Sequence, residues 1–141
     1  MTIFYSGELA GIASLPLIKA ANAAFGARLR RYRGSVTLAA QTTSDTIVIG
    51  QAPAGASFAY GVLTSSVSLG TSTIAIGVTG TTGKYRAAAV FTAADTPTMF
   101  GVNTAVGGAV LAAAETQIVT IGVAALPASG LLVIDLYWSQ A

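Results

Sequence analysis

The chain has 141 residues, which suits one domain and allows a single sizeable core. Hydrophobic residues make up 53%, charged residues 9%, and the formal charge is +2, which excludes intrinsic disorder of the domain and gives no electrostatic case for nucleic-acid binding. There are no cysteines and no histidines, so disulfides, thiolate metal sites and the commonest general base are excluded, and a surface this poor in charge points to burial against partners in an assembly.

The cations cluster early. Up to Gly34 the chain carries Lys19, Arg28, Arg30, Arg31 and Arg33 against Glu8; beyond it, Lys84 and Arg86 face Asp45, Asp95, Glu115 and Asp135. Residues 1–34 therefore read as an extended N-terminal arm with a basic strip, and residues 35–141 as a mildly acidic domain. The stretch 9–25 is apolar but contains Pro16, Lys19 and Asn22. It falls short of the roughly 20 apolar residues of a membrane-spanning helix. Glu8 stands where a signal peptide needs a basic start. The expectation is an unprocessed, non-secreted chain with no membrane partner. A helix broken at Pro16 is the weaker reading of this stretch.

Arg28-Leu29-Arg30-Arg31-Tyr32-Arg33 is the sharpest local feature. In an extended chain Arg28, Arg30 and Tyr32 share one side, with Arg31 and Arg33 on the other. Guanidinium forks suit carboxylates and phosphates alike. The strip reads as a docking site for an acidic protein surface, as a solvated run, or as a nucleic-acid contact. The first is preferred, because four arginines without a wider basic face make a weak nucleic-acid footprint.

The domain reads as strands. Thr46-Ile47-Val48-Ile49 is rich in β-branched residues. Phe58, Tyr60 and Val62 are expected to share a face, as are Ile74, Ile76 and Val78, then Val119, Ile121 and Val123, then Leu132, Ile134, Leu136 and Trp138. Opposite them stand mostly small residues, a smooth surface for close packing or an ordinary solvated one. Turn signals fall at Ala52-Pro53-Ala54-Gly55, Thr79-Gly80-Thr81-Thr82-Gly83, Asp95-Thr96-Pro97 and Pro127-Ala128-Ser129-Gly130. Short strands between such turns predict an all-β, antiparallel sandwich or barrel. The similar segments 46–50 and 73–77 read as equivalent strands of one sandwich. Residues 106–114 are Ala-rich, a short helix or a loop.

Nothing marks an enzyme. Glu8, Asp45, Asp95, Glu115 and Asp135 are scattered singly, without the spacing of a metal loop or a carboxylate pair. Gly77, Gly80, Gly83 and Lys84 imitate a phosphate loop, but Val78 occupies the position of its first glycine and Tyr85 that of its hydroxyl residue. A glycine-rich hairpin explains them better. Asp135, in an apolar final strand, is expected to face solvent rather than to pair with an arginine across an interface.

The segments Thr73-Ile74-Ala75-Ile76-Gly77, Gly83-Lys84-Tyr85-Arg86-Ala87-Ala88-Ala89, Asp95-Thr96-Pro97 and Phe100-Gly101, with Pro53-Ala54-Gly55 and Gly61-Val62-Leu63-Thr64 before them, resemble the head-decoration, or cement, proteins of tailed bacteriophages. The resemblance covers about half the chain and contains no catalytic signature. It implies a jelly-roll sandwich on the outer capsid surface, bridging major capsid protein subunits without a cofactor, as a homo-oligomeric dimer or trimer. Symmetry base rates favour the dimer.

Other readings are a tail or head-completion protein, and a host- or carbohydrate-binding β-sandwich module. The module needs an aromatic groove, whereas aromatics are 8% here and alternate into core positions. A mean hydropathy of +0.71 raises a membrane β-barrel, but the strands look short and lack aromatic girdles.

Overall fold

The computed structural model describes residues 2, 16, 26–107 and 110–140. The strands are β1 (Arg28–Thr37), β2 (Thr46–Ala52), β3 (Ser57–Ser65), β4 (Thr73–Val78), β5 (Thr81–Val90), β6 (Thr98–Phe100), β7 (Glu115–Gly122) and β8 (Leu131–Gln140), with a short helix α1 (Asn103–Val106). They form two four-stranded sheets, β1-β8-β3-β6 and β2-β7-β4-β5.

The order has a simple origin. β4 pairs with β5, β3 with β6, β2 with β7 and β1 with β8, all antiparallel. The chain is thus one long hairpin rolled on itself, and β3–β8 and β4–β7 pairing closes the roll. This is the jelly-roll arrangement of a β-sandwich. Its tip is the Thr79–Gly80 turn, where Gly80 adopts φ +87. The glycine cluster that imitates a phosphate loop is this hairpin. The segments 46–50 and 73–77 lie in β2 and β4, on either side of β7.

The sheets bury their inner faces against each other. In β8, Leu132, Ile134, Leu136 and Trp138 are fully buried, as the alternation predicts. Ile74 and Ile76 of β4 and Val119 and Ile121 of β7 meet them in the same core. Phe58, Tyr85 and Trp138 pack edge-on or tilted, with ring centroids 4.6–5.6 Å apart.

Two strand expectations fail. Phe58 is buried, but Tyr60 and Val62 lie on the outer face, because the register shifts between Phe58 and Tyr60. One extra residue reverses the parity of all that follows, so Leu63 points inward. Val123 is 78% exposed at φ +68, beyond the end of β7. A positive φ in a β-branched residue breaks the pleat. Of the Ala-rich stretch 106–114, Val106 ends α1 and residues 110–114 are irregular, while 108 and 109 lie outside the described residues. Apart from Thr2 and Pro16, residues 1–25 of the arm, including the broken-helix stretch, lie outside the described residues. Residues 28–34, assigned to the arm in the sequence, form part of β1.

β1 and β2 meet at Gly34. A Cβ there would lie 2.8 Å from Ile49 Cβ and 2.9 Å from Ile49 O. Backbone on one side leaves little room to relax. Gly34→Ala is expected to destabilise the fold by about 1–3 kcal/mol through overpacking. Urea denaturation measures it, and an unchanged midpoint contradicts the close approach.

Candidate functional site

β1 is an outer strand of its sheet and carries the basic strip. Its register places Arg28, Arg30 and Tyr32 opposite Gln140, Trp138 and Leu136, on the inward side. Arg31 and Arg33 lie opposite Tyr137 and Asp135, on the outward side. The alternation expected of an extended strip is therefore present, but its residues have different surroundings.

Arg33 forms a two-pronged ion pair with Asp135. Its Nε donates to Oδ1 at 2.8 Å and its Nη2 to Oδ2 at 2.9 Å. The hydrogen bond and charge of Asp135 raise the Arg33 pKa. Asp135 is only 6% exposed, which corrects the expectation of a solvated acid. A carboxylate among apolar neighbours needs a fixed partner, and the adjacent strand of the same chain supplies it. Tyr32 packs against the core, and its hydroxyl accepts a hydrogen bond from Gln140 Nε2 at 2.7 Å. Arg28, Arg30 and Arg31 are exposed, with no ion pair among the described residues.

The remaining charge is arranged along the strand axis. Glu115 is neutralised by Lys84. Asp45 lies in the β1–β2 loop and Asp95 in the β5–β6 loop. Asp95 N donates to Ser65 O at the end of β3, so Asp95 sits at the end of the roll opposite Arg28. One end thus carries three unneutralised arginines and the other two exposed aspartates.

The outer face beside Arg31 was not legible in the sequence. Tyr60 stacks on Tyr137 with centroids 4.6 Å apart. Met99, 69% exposed, lies opposite Val62, and Leu29, 52% exposed, lies opposite Ser139. The β3 bulge creates this face by turning Tyr60 and Val62 outward.

A second cluster lies between the sheets. Lys84 Nζ donates to Glu115 Oε2 at 2.6 Å, and the Tyr85 hydroxyl donates to Oε1. Phe58, Tyr85, Trp138 and residues 110–114 line a cavity of about 500 Å³ beside them. Burial opposes the Glu115 charge, but the hydrogen bonds from Lys84 and Tyr85 and the Lys84 charge outweigh it and hold its pKa below the usual value. Burial, with the bond to Glu115, raises the Tyr85 pKa. A single carboxylate held ionised by its partners is a poor proton donor at neutral pH. Among the described residues no three potential metal ligands gather. Residues 84 and 115 are too far apart in sequence to have been paired by spacing.

No family model matches this chain, and no curated protein matches it. Solved structures share its fold. A chain in the capsid of Ralstonia phage GP4 superposes with a TM-score of 0.66 at 17% identity, covering 81% of this chain and 85% of that one. A chain in the cyanophage Pam1 capsid asymmetric unit gives 0.60 at 18% identity, over 83% and 88%. A chain in the acid-stable capsid of Helicobacter pylori bacteriophage KHP30 gives 0.56 at 10% identity, over 79% and 93%.

The lowered Glu115 pKa fixes a sign. Its stabilisation is fully present above the unfolded carboxylate pKa of about 4.3 and is lost as pH falls through the lower folded value. Glu115→Gln should therefore be less stable than wild type at neutral pH and converge with it in acid. Urea midpoints at pH 7 and pH 3 measure this. A constant difference across that range contradicts the ion-pair assignment.

Proposed function

We propose that this chain is a non-enzymatic structural protein of a tailed-phage virion, sitting on the outer capsid surface and tying neighbouring major capsid protein subunits together. The observation that carries the reading is the fold shared with chains in three phage capsids over about four-fifths of this chain and most of theirs. Such coverage of both partners means that the matched chains are of similar length to this one. The head-decoration resemblance in residues 53–64 and 73–101 points the same way.

The chemistry is consistent with binding rather than turnover. Glu115 and Asp135 are neutralised singly, by Lys84 and Arg33. Among the described residues, the exposed cations without a carboxylate partner are Arg28, Arg30 and Arg31 at one corner, a surface suited to acidic protein. Arg33 and Tyr32 belong to the same strip but act from within the fold, holding Asp135 and Gln140. Weak individual contacts reinforce one another on a closed shell, where tethering raises effective concentration. A dimer or trimer of the chain would multiply them further. No cofactor has a part in this role.

The test is attachment to undecorated shells of the same virus, read by co-sedimentation. Arg28→Ala, Arg30→Ala and Arg31→Ala together should weaken attachment about tenfold or more, as three exposed charge contacts would give. The urea midpoint should stay unchanged. Arg33→Ala is expected to lower the midpoint instead, because it leaves Asp135 buried without its partner. Undiminished attachment of the triple variant removes the strip from docking. No attachment of the wild-type chain removes the capsid role.

A further inference from the structure

The two sheets have four outer strands, and three are blunted. β2 carries a register break between Val48 and Gly50. The β4–β5 pairing is broken twice. β6 has only three residues. Bulges and shortness are common ways of preventing an edge from recruiting another strand. β1 has neither: all ten of its residues pair with β8 in unbroken register. Its first four residues are all exposed. Among the described residues, what guards this edge at 28–33 is charge alone.

A charged edge is selective, where a bulged edge is closed. Two copies of β1 pairing edge to edge would set arginine against arginine, and like charges across strands are destabilising. A segment carrying carboxylates meets the opposite condition. Arg31 would receive one carboxylate on the outer face, and Arg28 and Arg30 others on the inner side, through charge-assisted forks. The main chain would supply affinity and the side chains selection, as in strand addition generally.

We propose that the edge of β1 at residues 28–33 takes up an acidic, extended segment of a partner protein as a fifth strand of its sheet. That the capsid supplies the segment rests on the function proposed above; the edge chemistry does not.

Three synthetic eight-residue peptides test this against the full chain. One repeats Glu-Glu-Val-Val, so that carboxylates fall on both faces of the strand, one replaces each glutamate by lysine, and one keeps the glutamates but replaces each valine by proline. Titration calorimetry gives affinity, and hydrogen exchange maps protection. The glutamate–valine peptide should bind and slow amide exchange within residues 28–33. The lysine and proline peptides should bind at least about tenfold more weakly, the first by repulsion and the second by lacking amide donors. The triple alanine variant should lose about tenfold or more in affinity, and replacing the same arginines by lysine should restore part of it. Absence of protection in β1 overturns the proposal, as does equal binding of the proline peptide. Self-association of the alanine variant, with no peptide binding by wild type, also overturns it, because the arginines then only guard the edge. Wild-type attachment to shells without peptide binding overturns this inference alone. Peptide binding without shell attachment upholds it and removes the capsid as the source.

Discussion

β8 is the strand on which the rest of the structure depends. It lies between β1 and β3, and its four inward side chains, Leu132, Ile134, Leu136 and Trp138, are fully buried. Each such side chain contributes about 1.5–3 kcal/mol by leaving water. Its outward Asp135 holds Arg33 of β1 across 102 residues of sequence. The first and last described strands of the roll are thus joined by a hydrogen-bonded ladder, an apolar face and an ion pair. Without β8, β1 would have no sheet, and the basic strip would have no fixed geometry. Closing so long a loop before its contacts are made favours slow folding.

The same constraint explains how a chain with so little charge deploys it. Of the cations in the described domain, Arg33 and Lys84 serve internal carboxylates. Arg86 lies against backbone carbonyls of Ile74, Ala89 and Val90, reinforcing the bulged β4–β5 edge. That leaves Arg28, Arg30 and Arg31 at the end of the most regular outer strand. The outer face next to them holds the Tyr60–Tyr137 stack, Leu29 and Met99. Aromatic and arginine side chains beside exposed apolar ones are the usual ingredients of a binding surface.

Much of the fold was legible because strand periodicity survives in single sequences. The β8 alternation, the turns at Pro53 and Gly80, and the glycine-rich hairpin follow from local rules. The reversal at Tyr60 was not legible, since a bulge changes parity without changing composition. Val123 continues the β7 pattern in sequence, yet its backbone turns away. The strip itself was visible, but its division was not: Arg33 and Tyr32 became structural only when β8 was set beside them. The Lys84–Tyr85–Glu115 cluster depends on tertiary proximity alone.

In the function proposed above, this jelly roll rides on the outside of a capsid. An electron cryomicroscopy reconstruction of undecorated shells mixed with the purified chain tests it most directly. The expected result is added density on the outer surface at boundaries between capsomers, fitting two sheets of four strands, with the Arg28 end of β1 against the shell. Shells without added density, or density confined to a tail or portal vertex, would contradict the claim.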